Sequence, residues 1–335
     1  MTTTLETAEP IILAEKLTKT FSSRRRTGRW RHEREDFTAV DGIDLRVAAG
    51  ELVGYIGPNG AGKSTTIKML TGILVPTSGL VRVAGLVPWK QRRENARNIG
   101  VVFGQRSQLY WDLPLIDSFE LLRAIYGVPQ DEYRRNLHRF IEILELDGFL
   151  RTPVRQLSLG QRMRGDFAAA MLHSPKIVYL DEPTIGLDVV AKEAIREFIA
   201  RINAERGATV ILTTHDLADV ERLCRRIVLI DRGTLIYDGN IERIKSEYGT
   251  QRTLIVRFSK PVEQPHLDGA ELVAMDGSSA RFRFDRNLQR ASLLVRQASE
   301  RYSVEDVSLE EPDLESIIRR IYVEGYEHRS EEDAS

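Results

Sequence analysis

The stretch GPNGAGKST, Gly57 to Thr65, has the residue types and spacing of a phosphate cradle, G-x-x-x-x-G-K-[ST], between an apolar strand-like run and a helix-like one. Gly57, Pro58, Asn59, Gly60, Ala61 and Gly62 form a turn whose backbone N–H groups can close around phosphate oxygens. Lys63 follows as a cation for the β and γ oxygens, Ser64 offers a hydroxyl to Mg²⁺, and Thr65 completes the run at the positive end of a helix. Further on, IVYLDEPT ends an apolar strand on Asp181 and Glu182. At the carboxyl edge of a sheet these carboxylates can divide the work. Asp181 would hold Mg²⁺ through water, and Glu182 would polarise an attacking water as general base. Side by side they repel, so a metal is needed to keep both ionised.

A third stretch, LSLGQRMRGDFAAAML from Leu157 to Leu172, places Ser158 and Gly160 at the start of a helix. A serine there can cap the freed amides and a glycine exposes them, so the turn is either an ordinary helix cap or a second anion site. One nucleotide has no obvious use for two cradles.

Positioning these groups requires strands that end in loops. The β-rich segments IILAEKLTKTF and IDLRVAAGELVGYIG flank residues 22–36, SSRRRTGRWRHERED, which read as a basic inserted loop with six arginines, three acids and one tryptophan. From Glu51 the order is strand, glycine loop, helix over roughly Lys63 to Gly72, then strands at LVRVAG and NIGVVFG. Apolar residues at helical spacing over 115–150, followed by the Ser158 helix, give a helical block at about 106–172. KIVYLDEPT, ATVILTTHD and RIVLIDRGTLIYDG return as strands, alternating with helices that Asp188 and Asp216 can cap. The fold class is α/β. Beyond about Lys245 the composition changes to TLIVRFSKPV, ELVAMDG, ARFRFD and NLQRASLLVRQASER, a small strand-and-helix module. The expected division is a main domain over 1–245 and an accessory domain over 246–335.

Composition narrows the function. Lys and Arg total 48 against 49 Asp and Glu, for a formal charge of -1, so no global field draws the molecule to nucleic acid or anionic lipid. No nucleic-acid partner is expected. The single cysteine, Cys224, excludes an intramolecular disulfide and fits a reducing compartment. The start MTTTLETAEP lacks the features of a secretory leader, and no stretch approaches the ~20 apolar residues that span a bilayer.

Taken together, Gly57 to Thr65, LSLGQ and LDEPT resemble the nucleotide-binding subunit of an ABC transporter, over about residues 10–245. The resemblance implies a P-loop ATPase core with an antiparallel β subdomain and a helical subdomain, using ATP and Mg²⁺. It also implies a role for the second cradle: Leu157, Ser158, Leu159, Gly160 and Gln161 stand where the family's signature binds the γ-phosphate held by another copy's P-loop. The family pattern has glycine where Leu159 stands. Gln105 matches a glutamine that senses Mg²⁺, Gly186, Leu187 and Asp188 match the D-loop, and His215 matches a switch histidine that touches γ-phosphate.

Family members stack an aromatic on adenine at the end of the first strand, where Phe21 stands; Trp30 and Phe37 compete with it. Tyr110, Trp111, Leu113 and Leu115 crowd into one segment that either packs the helical block or receives a helix from a membrane subunit. The resemblance implies a dimer of this chain closed around two Mg-ATP, working with separate transmembrane subunits at the cytoplasmic face of the membrane. FGQRSQLYWDLP and the C-terminal VEDVSLEEPDLESIIRRIY resemble an exporter branch of drug and polysaccharide efflux cassettes. The insert either touches lipid headgroups or stays solvated. Two other readings stay open: an ABC ATPase of DNA repair or ribosome function, and a nucleotide-gated regulatory module. Against the former, the sequence has one P-loop and no sustained heptad.

Overall fold

Apolar runs punctuated by glycine turns set out the strands. The computed structural model describes residues 9–26, 32–104 and 106–332, which fall into two compact units divided after Asp238. In the first, β1 (Ile12–Arg26), β2 (His32–Val47) and β3 (Leu52–Ile56) precede α1 (Lys63–Leu70). β4 (Ser78–Val83), α2 (Arg92–Asn98) and β5 (Ile99–Phe103) follow. The helices α3 (Leu115–Tyr126), α4 (Gln130–Ile143) and α5 (Leu159–Met171) come next. The chain then alternates through β6 (Ile177–Asp181), α6 (Val189–Arg206), β7 (Thr209–Thr213), α7 (Leu217–Leu223), β8 (Arg226–Asp231) and β9 (Thr234–Asn240).

Two sheets result. One has the order β2-β1-β4, with both pairings antiparallel. The other runs β5-β6-β7-β3-β8-β9, and its first five strands are mutually parallel. Parallel strands covered on both faces read as unbroken apolar runs, which is why Val53 to Ile56 and Ile177 to Leu180 are buried throughout. Ile12, Leu17, Ile43 and Val81 of the antiparallel sheet share one core cluster with Tyr55, Ile67, Tyr179 and Val228. Phe198 of α6 meets Phe140 of α4 and Phe167 of α5 edge-on, each at 5.7 Å between ring centroids, and so ties the helical block to α6.

Residues 22–26 and 32–36 differ from the inserted loop read in the sequence. They continue β1 and β2 as an antiparallel ribbon whose register reaches Arg26 opposite His32, whereas β4 pairs with β1 only from Ile12 to Thr18. The ribbon escaped the sequence because a hairpin ladder is held by backbone hydrogen bonds and needs no apolar alternation there. Arg29, Trp30 and Arg31 lie outside the described residues.

The second unit comprises α8 (Ile241–Tyr248), β10 (Gln251–Phe258), β11 (Glu271–Asp276), β12 (Ser279–Asp285), α9 (Ala291–Arg301), β13 (Val304–Glu310) and α10 (Leu314–Glu332). Its antiparallel sheet, β11-β12-β10-β13, buries Leu254, Val256, Phe258, Phe282 and Phe284 against Leu294 and Ala298 of α9. Among the described residues, no helix is long and apolar enough to cross a membrane.

Candidate active site

The strand order brings the chemistry together: β7 lies between β3 and β6, so the loop after β3 and the carboxylates ending β6 flank the end of β7. The crevice outside the carboxyl ends of a parallel sheet is where such folds bind ligands. Gly62 leads into α1 with φ 104°, and a Cβ there would lie 2.4 Å from the Ala39 carbonyl oxygen, so only glycine makes this turn. Lys63 is buried, with Nζ donating to the carbonyls of Gly57 at 2.5 Å and Pro58 at 3.1 Å. Burial pulls its pKa below the usual lysine value, and the nearby carboxylates of Glu182 and Asp181 act in the opposite direction.

Asp181 is held on both oxygens. Ser64 Oγ donates to Oδ2 at 3.2 Å and Thr213 Oγ1 to Oδ1 at 2.5 Å. A serine hydroxyl against a carboxylate beside a phosphate-binding turn is a hard-oxygen set that fits Mg²⁺. Glu182, the next residue, adopts φ 54°, a left-handed conformation unusual for a residue with a side chain. Its N–H donates to the Thr213 carbonyl at 2.9 Å. Its Oε2 lies 2.8 Å from His215 Nδ1 and accepts from the His215 backbone N–H at 3.4 Å. The structure thus joins Glu182 and His215 directly. Gly104 makes room for them: a Cβ at that position would stand 2.0 Å from the Glu182 carbonyl oxygen. Gln105, the expected Mg²⁺ sensor, lies outside the described residues.

A cavity of about 600 Å³ opens over these groups, lined among others by Asn59, Lys63, Ser64, Asp181, Glu182, Phe21 and Phe37. Phe21 and Phe37 face each other across the β1–β2 ladder and are 40% and 61% exposed, which leaves both rings available to a planar base. Lys19 Nζ stands 5.2 Å from the centre of the Phe21 ring.

Leu157, Ser158, Leu159, Gly160 and Gln161 are not among the residues lining this cavity. They form their own helix terminus. Ser158 Oγ accepts from the Gln161 N–H at 3.2 Å while Gln161 Oε1 accepts from the Ser158 N–H at 2.9 Å, a reciprocal cap that leaves other first-turn amides of α5 unbonded. Leu159 sits beside Gly186, where a Cβ would come 3.2 Å from its Cδ2, so the signature and the GLD turn abut within one chain. Leu187 is buried. Asp188 caps α6 through a bond from the Ala191 N–H at 2.8 Å, while the carboxylate of Asp216, ahead of α7, is engaged by Lys192 Nζ at 2.6 Å.

Sequence reasoning missed Asp166. This carboxylate, 3% exposed on α5, accepts from Ser107 Oγ at 2.9 Å and the Gln108 N–H at 3.0 Å, fastening the signature helix to the segment after Gln105. Burial pushes its pKa up to about 6, and the two hydrogen bonds and Arg162 offset only part of that. Its one signal in the sequence is an acid inside the small apolar run GDFAAAML.

Comparison with known proteins agrees with this geometry. The family model described as ABC transporter matches residues 40–185. The methionine import ATP-binding protein MetN of Geobacillus kaustophilus is 33% identical over 68% of this chain and 67% of its own length. The chain belongs to the ABC transporter family. As a member it is an ATP-binding subunit that hydrolyses ATP with Mg²⁺. The probable multidrug ABC transporter ATP-binding protein YbhF of Escherichia coli is 36% identical over 71% of this chain, which spans 39% of that longer protein. Among solved structures, the dimeric post-hydrolysis state of the cassette MJ0796 bound to ADP and Pi is 27% identical, with a TM-score of 0.58 over 69% of this chain and 98% of that one.

Proposed function

We propose that this cassette powers export through separate transmembrane subunits, closing as a head-to-tail dimer of two copies over two Mg-ATP at the cytoplasmic face of the membrane. The observation that carries the ATPase assignment of individual residues is that Lys63, Ser64, Asp181 and Glu182 line one cavity, with His215 paired to Glu182. In this reading the P-loop amides and Lys63 bind the triphosphate, with Phe21 and Phe37 stacking on the base. Ser64, Asp181 and Gln105 would hold Mg²⁺, which would supply positive charge to the phosphate oxygens. The water oxygen bonds to the γ-phosphorus, its proton passes to a Glu182 carboxylate oxygen, and the bond to the bridging oxygen of ADP breaks. His215, paired with Glu182, orients that carboxylate and meets the γ-phosphate.

The Ser158 turn completes the site from the partner copy. That it does not line the chain's own cavity and that its first-turn amides are unbonded support this role, as does the dimeric structure of MJ0796. Cleavage then separates the phosphate that bridged the two halves. Tyr110, Trp111 and Leu113 remain exposed while Leu115 is buried, which supports a cup for a helix of the membrane subunit over simple packing of the block. Export is favoured by the 36% identity to a probable multidrug cassette, although MetN is named for import. Phosphate release tests the assignment: Glu182→Gln should slow turnover by ~10²-fold or more while ATP binding persists. Wild-type turnover in that variant would overturn the role given to Glu182.

A further inference from the structure

The pairing of Glu182 with His215 depends on two loops that follow different strands, and the structure contains a buried brace between them. Thr184, two residues after Glu182, donates from Oγ1 to Asp219 Oδ2 at 2.5 Å. Asp219 lies on α7, four residues after His215, and is 1% exposed; Thr184 is also buried. The other carboxylate oxygen, Oδ1, accepts from Arg196 Nε of α6 at 2.6 Å. A second tie, Lys192 Nζ to Asp216 Oδ2 at 2.6 Å, joins α6 to the residue directly after His215. One carboxylate therefore links the loop of β6, the first turn of α7 and the flank of α6.

A carboxylate taken out of water is costly unless it is fully bonded, and a well-packed apolar group of similar volume is often as stable or more so. Stability alone does not account for Asp219. What it fixes is distance. Glu182 holds a left-handed backbone, φ 54°, which persists only where surrounding contacts over-determine it. Upstream, Glu182 is pinned by the Thr213 carbonyl at 2.9 Å. Downstream, the first side-chain anchor described is Thr184 on Asp219. We propose that Asp219, acting through Thr184, is a positioning residue that sets the separation of Glu182 and His215 for water attack. The proposal rests on the reading of Glu182 as general base.

Thr184→Val tests it. The substitution keeps the shape, removes the hydroxyl and leaves Asp219 paired with Arg196, so no bare charge is buried. The expected result is a fall in kcat of about tenfold, with KM for ATP and the affinity for a fluorescent ATP analogue changed less than twofold and the melting temperature little altered. Thr184→Ser, which retains the hydroxyl, should recover kcat to within about twofold of wild type. In the Glu182→Gln background, Thr184→Val should add no further loss, because residues acting as one unit are not additive. Unchanged kcat in Thr184→Val, failure of the serine to rescue, or a kcat loss matched by lost nucleotide binding would each overturn the brace. Undiminished turnover in Glu182→Gln alone would instead sink the reading of the base, so the two failures are distinguishable.

Discussion

Asp166→Asn isolates the cost of burying a carboxylate between the segment after Gln105 and the signature helix. In the folded chain burial raises its pKa from 3.8 to about 6. A folded-state pKa above the unfolded one means that the native protein holds the proton more tightly. The stabilisation is then fully present below about pH 4 and is lost as pH rises through about 6. Each tenfold change in proton affinity is about 1.4 kcal/mol, so ionising Asp166 should cost the fold about 3 kcal/mol between pH 4 and pH 8. Asparagine has no proton to lose. Its stability relative to wild type should therefore rise by about 3 kcal/mol across that range, whatever constant penalty the amide pays toward the Ser107 and Gln108 donors. Urea unfolding at a series of pH values reads this difference, and taking the difference cancels every other titrating group. Trp30, Trp89 and Trp111 all precede Asp238, so tryptophan fluorescence reports on the first unit alone. A difference that stays flat within about 0.5 kcal/mol, or falls with pH, would refute the reasoning.

Two further substitutions probe the cavity. Phe21→Ala and Phe37→Ala should each weaken ATP binding by about 2- to 10-fold, the worth of one aromatic contact, with little effect on kcat; titration with a fluorescent ATP analogue measures both. If only one of them matters, that ring is the platform. Gly104→Ala places a methyl against the Glu182 carbonyl oxygen, so the backbone must shift. Thermal unfolding should register a loss of about 1–3 kcal/mol and phosphate release a larger proportional fall than ATP binding.

The sequence was most informative where chemistry demands fixed residues at fixed spacing. The P-loop, Asp181 with Glu182, and the Ser158 cap all fall on the elements expected of them, because a strand that ends in a glycine turn and then a helix leaves few alternatives. The apolar strands of the parallel sheet were legible for the same reason: strands buried on both faces write themselves as continuous runs. What stayed hidden depends on pairs distant in sequence. Asp166 with Ser107 and Asp219 with Thr184 and Arg196 join residues whose types are unremarkable singly and become informative only when the fold brings them into contact. The ribbon at 22–26 and 32–36 was lost because charge density there resembles a loop. β13 and α10, beyond the last strand-and-helix pattern read from the sequence, carry alternations too weak to set boundaries.

The claim that matters most is that each nucleotide is shared by two copies, the P-loop of one and the Ser158 turn of the other. Sedimentation of the hydrolysis-impaired Glu182→Gln chain with and without Mg-ATP tests it, with Gly160→Asp introduced into the same background. ATP should drive the single variant into dimers, and the added carboxylate should abolish association while each monomer still binds ATP. Equal ATP-driven dimerisation of both proteins would contradict the account.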